Sequence, residues 1–170
     1  MGHLAGYIAA HSAYPDGAAS LAGTIVGRAQ TFGGSNNIAL LYPAGQFGTG
    51  LLGGKDAASP RYIFTKLPQL TRRIFHPDDD AILDYLEDDG MSIEPKHYLP
   101  ILPMVLVNGA QGIGTGWSTD VPNYTPRDVA ANLRRMMDDE EPLTMKPWYR
   151  GFNGHTTDAD AKGSYTTFGT

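Results

Sequence analysis

The amino-acid sequence predicts an α+β fold, and three observations carry that prediction. Apolar residues recur at helical spacing between Ala19 and Phe32, where Leu21, Ile25, Val26, Ala29 and Phe32 fall on one face. The period then changes, because Ile38-Ala-Leu-Leu-Tyr42 and Gln46-Phe-Gly48 flank the turn Pro43-Ala-Gly45, the pattern of a hairpin. Farther on, the run from Tyr98 to Asn108 is apolar enough for a buried strand. Two helices, a short turn and a hairpin in that order are the outline of a winged helix.

The elements follow from local chemistry. Leu4 to Ala10 reads as a short apolar helix, closed by the Pro- and Gly-containing turn Ala13-Tyr-Pro-Asp-Gly17. Ala19 to Phe32 reads as the second helix, ended by Gly33-Gly-Ser-Asn-Asn37 in the manner of a glycine C-cap. A helix-turn-helix can carry its second helix into a DNA major groove, although two packed helices are far more often simply a core element. Gly48 to Gly54 is too rich in glycine for a strand and reads as a loop lying close to something. Arg61 to Leu67 is strand-like, and Pro68 opens a helix that runs to Phe75. His76-Pro77 ends it, and an acidic helix is expected from Ala81 to Glu87.

The buried strand at 98–108 leads into the glycine loop Gly109-Ala-Gln-Gly-Ile-Gly-Thr-Gly-Trp117. A strand followed by Gly-x-Gly invites a nucleotide-binding reading. That fingerprint needs a helix straight after the loop and an acidic residue about 20 positions on. Trp117-Ser-Thr-Asp-Val-Pro122 is no helix, so the pattern is not met. Thr125-Pro-Arg-Asp128 opens a well-signalled helix, with Thr125 as N-cap and Asp128 as capping acid. Val129, Leu133, Met136 and Met137 are its expected core face. Beyond Gly151 the polar, Gly-rich chain is expected to fray.

Composition bounds the class. The 170 residues suffice for one domain or parts of two, and 41% hydrophobic content argues for a folded chain despite 21 glycines and 12 prolines. There is no cysteine, which removes disulfides and thiolate metal sites and fits a reducing compartment. No membrane-length apolar run or signal-peptide pattern is present, so no membrane partner is expected. Met1-Gly2, followed at once by a helix-like run, reads as a cut inside a longer protein. The net charge of −5 is unevenly spread. Residues 1–76 carry six basic groups against Asp16 and Asp56, a balance of +4, and residues 77–170 carry −9. The first part is therefore suited to a phosphate backbone, and the acidic 77–90 stretch reads as a solvated face.

The stretch with most chemistry is Gly53-Gly-Lys-Asp-Ala-Ala-Ser-Pro-Arg-Tyr62. It ends a Gly-rich loop on an arginine followed by a tyrosine. A phenol can attack a phosphodiester, and a guanidinium can hold the phosphate attacked. On residue type alone Tyr62 is either that nucleophile or the first aromatic of a strand.

Several ordered motifs extend this picture. They are Ala19-Ser-Leu-Ala22, Ala29-Gln-Thr-Phe32, Gly34-Ser-Asn-Asn-Ile38, Gly45-Gln-Phe-Gly-Thr49 and the Gly53 to Tyr62 stretch. Tyr98 to Gly109, Gly112-Ile-Gly-Thr-Gly-Trp-Ser118 and Met145-Lys-Pro-Trp-Tyr-Arg-Gly151 follow. Together, from about residue 4 to about residue 154, they resemble the DNA-cleavage region of a eukaryotic type IIA DNA topoisomerase.

That resemblance implies a winged-helix DNA-cleavage domain over 1–100 and the start of an α/β tower domain over 101–170, both truncated. It implies that Tyr62 attacks a DNA phosphate and stays joined to the 5′ end, and that Arg61 steadies the scissile phosphate. Ile113 would wedge between base pairs to bend the duplex. Lys55 and Ser59, in the motif loop, either touch the DNA backbone or stabilise the turn, and Gln46 and Arg28 are further DNA-binding candidates. The parent would be a nuclear, or alternatively organellar, homodimer acting on double-stranded DNA. Its Mg2+ and ATP would be bound outside this chain, and the fragment alone would not relax DNA. The sequence also departs from the family pattern. Where the family has Tyr-His-His-Gly-Glu this chain has Tyr14-Pro-Asp-Gly-Ala18, so Asp16 stands at the phosphate-contacting histidine. Gly50 replaces the usual arginine and Gly34 a usual valine. A carboxylate at position 16 repels phosphate, which opens a second reading, a cleavage-impaired DNA-binding module of the same family.

Overall fold

The structure, a computed structural model, describes residues 1–158 and 163–169. Its helices are α1 (Gly2–His11), α2 (Gly17–Ala29), α3 (Gln69–Ile74), α4 (Met104–Val107) and α5 (Pro126–Met137). The strands β1 (Tyr85–Asp88) with β2 (Met91–Pro95), β3 (Ala110–Gly114) with β4 (Trp117–Val121), and β5 (Gly154–Asp158) with β6 (Tyr165–Gly169) form three antiparallel two-stranded ladders. The mixed helix and sheet composition is the one predicted. The chain divides into two compact units, Met1–Gln30 with Ala39–Ile101, and Thr31–Ile38 with Leu102–Thr170.

In the first unit α2 buries Leu21, Ala22, Ile25, Val26 and Ala29, the apolar stripe legible in its spacing. These side chains join Ala5 of α1 with Phe47 and Ile63 from the following loops in one core. The helix ends earlier than expected. Gln30 is already extended, with φ −66° and ψ 140°, and no glycine cap follows at 33–37. Gln30 leaves the helix because its side chain works elsewhere: Nε2 donates to the carbonyls of Phe47 and Gly54, at 2.9 and 3.2 Å.

The expected hairpin of 38–42 with 46–48 does not form. Instead Tyr42 N donates to Lys66 O (2.9 Å), and Ala44 and Phe64 exchange a pair of backbone bonds at 3.1 and 2.9 Å. Gly45 (φ +118°) explains the change, since a Cβ there would lie 2.8 Å from the Ile63 side chain. The chain turns at Gly45 to admit Ile63, so 64–66 becomes the partner. Arg61 to Leu67 is accordingly only part strand: Pro60–Tyr62 is a single 3-10 turn.

The helix predicted from Pro68 is α3, with Thr71 and Ile74 buried. The acidic helix expected at 81–87 is absent. Pro77–Ile82 is a 3-10 segment, and 85–95 is the β1–β2 hairpin. Asp88 pairs with Met91 around Asp89 (φ 48°) and Gly90 (φ 77°). An Asp-Gly pair with two positive φ angles is the signature of a two-residue hairpin turn, and it outweighs the acidic run before it.

In the second unit the predicted strand at 98–108 is instead irregular chain, with bends at 101 and 102, followed by the single turn α4, in which only Val107 is buried. Pro100 and Pro103 break any ladder there. The glycine stretch after it is the β3–β4 hairpin rather than an open loop, with Gly114 opposite Trp117. Helix α5 starts as predicted, and the Thr125 hydroxyl accepts from Arg127 N. Its inner face differs: Val129 and Asn132 are buried, whereas Met136 and Met137 are 58% and 83% exposed. Asn132 turns inward because its amide exchanges two 2.8 Å bonds with the backbone of Leu143, folding the chain back along the helix. The expected fraying beyond Gly151 is replaced by β5–β6 within the described residues. Residues 159–162 and 170 of that stretch lie outside them.

Segment 31–38 is sewn into this second unit by buried Asn37. Its Nδ2 donates to the carbonyls of Tyr124 and Trp148, both at 3.0 Å, and its Oδ1 accepts from Arg150 N at 2.9 Å.

Candidate active site

Tyr62 sits where a buried and an exposed residue alternate. Ile63 is 1% exposed and anchored in the core, while Tyr62, one residue earlier, is 67% exposed. Pro60 pre-sets the turn, and Tyr62 N donates to Ser59 O at 2.9 Å, closing it. On the far side Phe64 is bonded to Ala44. The phenol therefore projects from a short backbone segment fixed at both ends. The Arg61 guanidinium carbon lies 5.2 Å from the Tyr62 ring centroid, within cation–π range.

The loop before it is stapled. Asp56 accepts from Thr49 N and Thr49 Oγ1, both at 2.8 Å, and these bonds, the backbone one first, hold its carboxyl below its ordinary value. Gly54 N donates to Thr49 O at 2.8 Å, and Ala58 N to Gln46 O at 2.9 Å. A Cβ on Gly48 (φ +100°) would meet Gly54 O at 2.6 Å and its Cα at 2.7 Å, so the two loop strands touch backbone to backbone. The sequence reading of a loop lying close to something is accounted for: the loop lies on itself and on Gln30.

Of the candidate residues, the fold brings Arg61, Tyr62, Ser59, Lys55 and Gln46 onto this one loop system. Lys55 and Ser59 are exposed, and the Ser59 side chain makes no cap bond at the 3-10 turn. Gln46 Oε1 accepts from Gly48 N at 3.2 Å, a local turn bond. Arg28 is exposed near the end of α2, and its carbonyl accepts from Leu40 N. Asp16 is the exposed N-cap of α2 but makes no side-chain capping bond. Ile113 belongs to the second unit, on the β3–β4 hairpin, and is 98% exposed. The supporting roles of Gln30, Asp56 and Asn37 were not foreseen. Gln30 and Asn37 stood inside motif strings, but nothing in a string says which side chain turns inward.

Comparison with known proteins decides the family. Residues 1–170 match the family of the DNA gyrase/topoisomerase IV A-subunits. The chain belongs to that family. It is 62% identical over 155 residues to DNA topoisomerase 2 of Bombyx mori, covering 91% of this chain and 10% of that protein. It is 57% identical over 165 residues to DNA topoisomerase 2 of Pisum sativum, covering 97% of this chain and 11% of that protein. The crystal structure of the Plasmodium falciparum topoisomerase II DNA-binding, cleavage and re-ligation domain superposes with a TM-score of 0.94 at 50% identity. That match covers 99% of this chain and 23% of the other. The likeness to eukaryotic type II topoisomerases read from the motifs is therefore shown. The chain spans about a tenth of the length of the curated relatives it matches.

Proposed function

We propose that this chain is the part of a type II DNA topoisomerase that carries the nucleophilic tyrosine, with Tyr62 as nucleophile and Arg61 as the group that steadies the scissile phosphate. The observation that carries the proposal is an exposed phenol on a rigid turn with a guanidinium beside its ring. Attack by Tyr62 Oη on a backbone phosphorus forms an Oη–P bond and breaks the bond from phosphorus to O3′. The phenolic proton leaves to solvent or a base, and the O3′ oxygen departs and is protonated. The 5′ phosphate stays on the enzyme, and the reverse attack by the 3′ hydroxyl reseals the strand. Bond energy is kept throughout, so resealing needs no outside source. Arg61 N–H groups offer the transition state charge-assisted hydrogen bonds.

Among the described residues no group of three or more His, Asp or Glu is placed to hold a metal ion. Mg2+ and ATP belong, on this reading, to other parts of a homodimeric parent acting on nuclear duplex DNA, with an organellar DNA compartment as the alternative. The same reading divides the chain into a winged-helix cleavage domain over 1–100 and a tower domain from 101. Within it Lys55, Ser59, Gln46 and Arg28 contact the DNA backbone, and Ile113 wedges between base pairs. Among the described residues no helix is long and apolar enough to cross a membrane.

The deciding experiment uses the full-length parent protein with Mg2+ and a nicked duplex, and looks for a covalent protein–DNA adduct. An adduct lost in Tyr62→Phe is the expected result. A second reading, binding without cleavage, is favoured by Asp16, whose exposed carboxylate no capping bond engages. If the unaltered protein forms no adduct and Asp16→His does, the second reading replaces the first.

A further inference from the structure

We infer that the second unit carries a binding pocket for a lysine or arginine side chain of a partner polypeptide, formed by Asp120, Tyr149 and Tyr165 with Pro122 and Pro147. The inference goes beyond the proposed cleavage and does not depend on it.

Three stretches of the second unit meet at this pocket. Strand β4 ends at Val121, so Asp120 and Pro122 flank its last residue. Trp148 N donates to the carbonyl of buried Asn123 at 2.8 Å, which seats 147–149 against 122–124. Tyr165 opens β6, and its hydroxyl reaches the Met145 carbonyl at 3.5 Å, so its side chain extends to the same stretch. Thr167, two residues on, shares the Tyr165 face of the strand. All of these line one pocket of about 360 Å³, at the low end of the range for ligand sites. Tyr149 and Tyr165 are half-buried, whereas Asp120 is exposed.

The side chains also act on one another. Burial first, and then the negative charge of Asp120, push the Tyr149 phenol above its ordinary value. Burial again, followed by Tyr165 and Tyr149, raises the neighbouring Tyr124. One carboxylate and two phenol rings therefore share this space.

That lining selects a cation. It holds one carboxylate and no basic residue. Asp120 is in no ion pair among the described residues, and Lys146, the basic residue next to Pro147, pairs with Asp158 at 3.8 Å. Tyrosine faces attract an ammonium or guanidinium, and a carboxylate beside them adds an opposite charge. Pro122 and Pro147 offer apolar surface to the methylene stem of such a side chain. The same carboxylate repels a phosphate backbone, so the occupant is not DNA. One carboxylate balances one positive charge, which suits a single basic side chain better than a polyamine.

The test irradiates the full-length parent protein, without DNA, in the presence of a capped five-residue peptide that carries one lysine beside a diazirine side chain. Mass spectrometry then maps the labelled segments, and labelling within 145–150 and 163–169 is expected. Norleucine in place of the peptide's lysine should lower it about twentyfold, the combined loss of ring and carboxylate attraction. Asp120→Asn should lower it about fivefold, and Asp120→Glu should keep it. Tyr149→Leu should also cost about fivefold, whereas Tyr149→Phe keeps the ring and should cost little. Equal labelling by the lysine and norleucine peptides overturns the pocket. So does unchanged labelling of an Asp120→Asn protein that melts like the unaltered one. Stronger labelling by a diazirine-bearing spermidine at the same concentration overturns the polypeptide occupant. The adduct assay stays separate: a protein labelled as expected that forms no adduct keeps the pocket and loses only the cleavage reading.

Discussion

The guanidinium carbon of Arg61 stands 5.2 Å from the centre of the Tyr62 ring, on a turn whose next residue, Ile63, is buried. Adjacent residues thus divide three tasks: Ile63 anchors, Tyr62 projects and Arg61 supplies charge. Under the proposed function, Tyr62→Phe abolishes the covalent adduct while leaving duplex affinity nearly unchanged. Arg61→Ala slows adduct formation by about a hundredfold, the usual cost of one lost donor to a developing charge. Arg61→Lys recovers only part, because an ammonium lacks the planar fork of donors. Single-turnover cleavage at saturating DNA measures both.

Ile113 is 98% exposed on a two-stranded hairpin whose neighbours Gly112 and Gly114 carry no side chain. An apolar residue left so bare suits a wedge between base steps. Ile113→Ala is expected to reduce DNA bending, read by energy transfer between duplex ends, more than it reduces affinity. Equal losses in both would remove the wedge role.

The Asp56 carboxylate accepts both Thr49 donors, and its folded pKa is lowered below 3.8. A depressed folded value means the stabilisation is present above the unfolded pKa and is lost as pH falls through the folded one. The stability advantage of the unaltered chain over Asp56→Asn should therefore hold at neutral pH and shrink as pH drops below about 3.8. Denaturant midpoints across that range test it. Thr49→Val should weaken the same dependence.

Two glycines with similar backbone angles should respond differently to alanine. Gly17 has φ +78° with nothing within 4 Å of a new Cβ, so Gly17→Ala costs only the left-handed strain, about 1–2 kcal/mol. Gly48 has φ +100° and would drive its Cβ onto Gly54 backbone at 2.6 Å. Gly48→Ala should cost clearly more, about 3 kcal/mol or above, and loosen the loop that leads to Tyr62. Urea unfolding of the two variants side by side settles the order.

Buried Asn37 satisfies two carbonyls and one N–H that are 87 to 113 residues away in sequence. Asn37→Ala leaves those groups without their partner and should cost about 3 kcal/mol, the scale of a few unsatisfied buried groups. Asn37→Asp keeps the shape but sets an acceptor against two carbonyls, so it should rescue little. Thermal melts of the two variants check this.

Much of the local architecture was legible in the sequence. The apolar stripe of α2, the Thr-Pro start of α5, the Pro68 start of α3 and the adjacency of Arg61 and Tyr62 all follow from residues within a few positions of one another. Periodicity, capping and φ preference act over that range, so a linear reading captures them. The Asp89-Gly90 turn was equally local, but the acidic run around it drew the reading toward a helix.

Only the tertiary structure decided which segments pair and which side chains turn inward. Segment 42–44 bonds to 64–66 rather than to 46–48, because Gly45 yields its space to Ile63. Asn132 faces inward and Met137 outward because the backbone of Leu143 offers Asn132 two hydrogen bonds. The ordered motifs identified the family and singled out Tyr62. The turn that exposes it is local, set by Pro60 and the Tyr62 N–Ser59 O bond, whereas the burial of Ile63 and the Ala44–Phe64 bridge that anchor it depend on distant segments that local pattern does not specify.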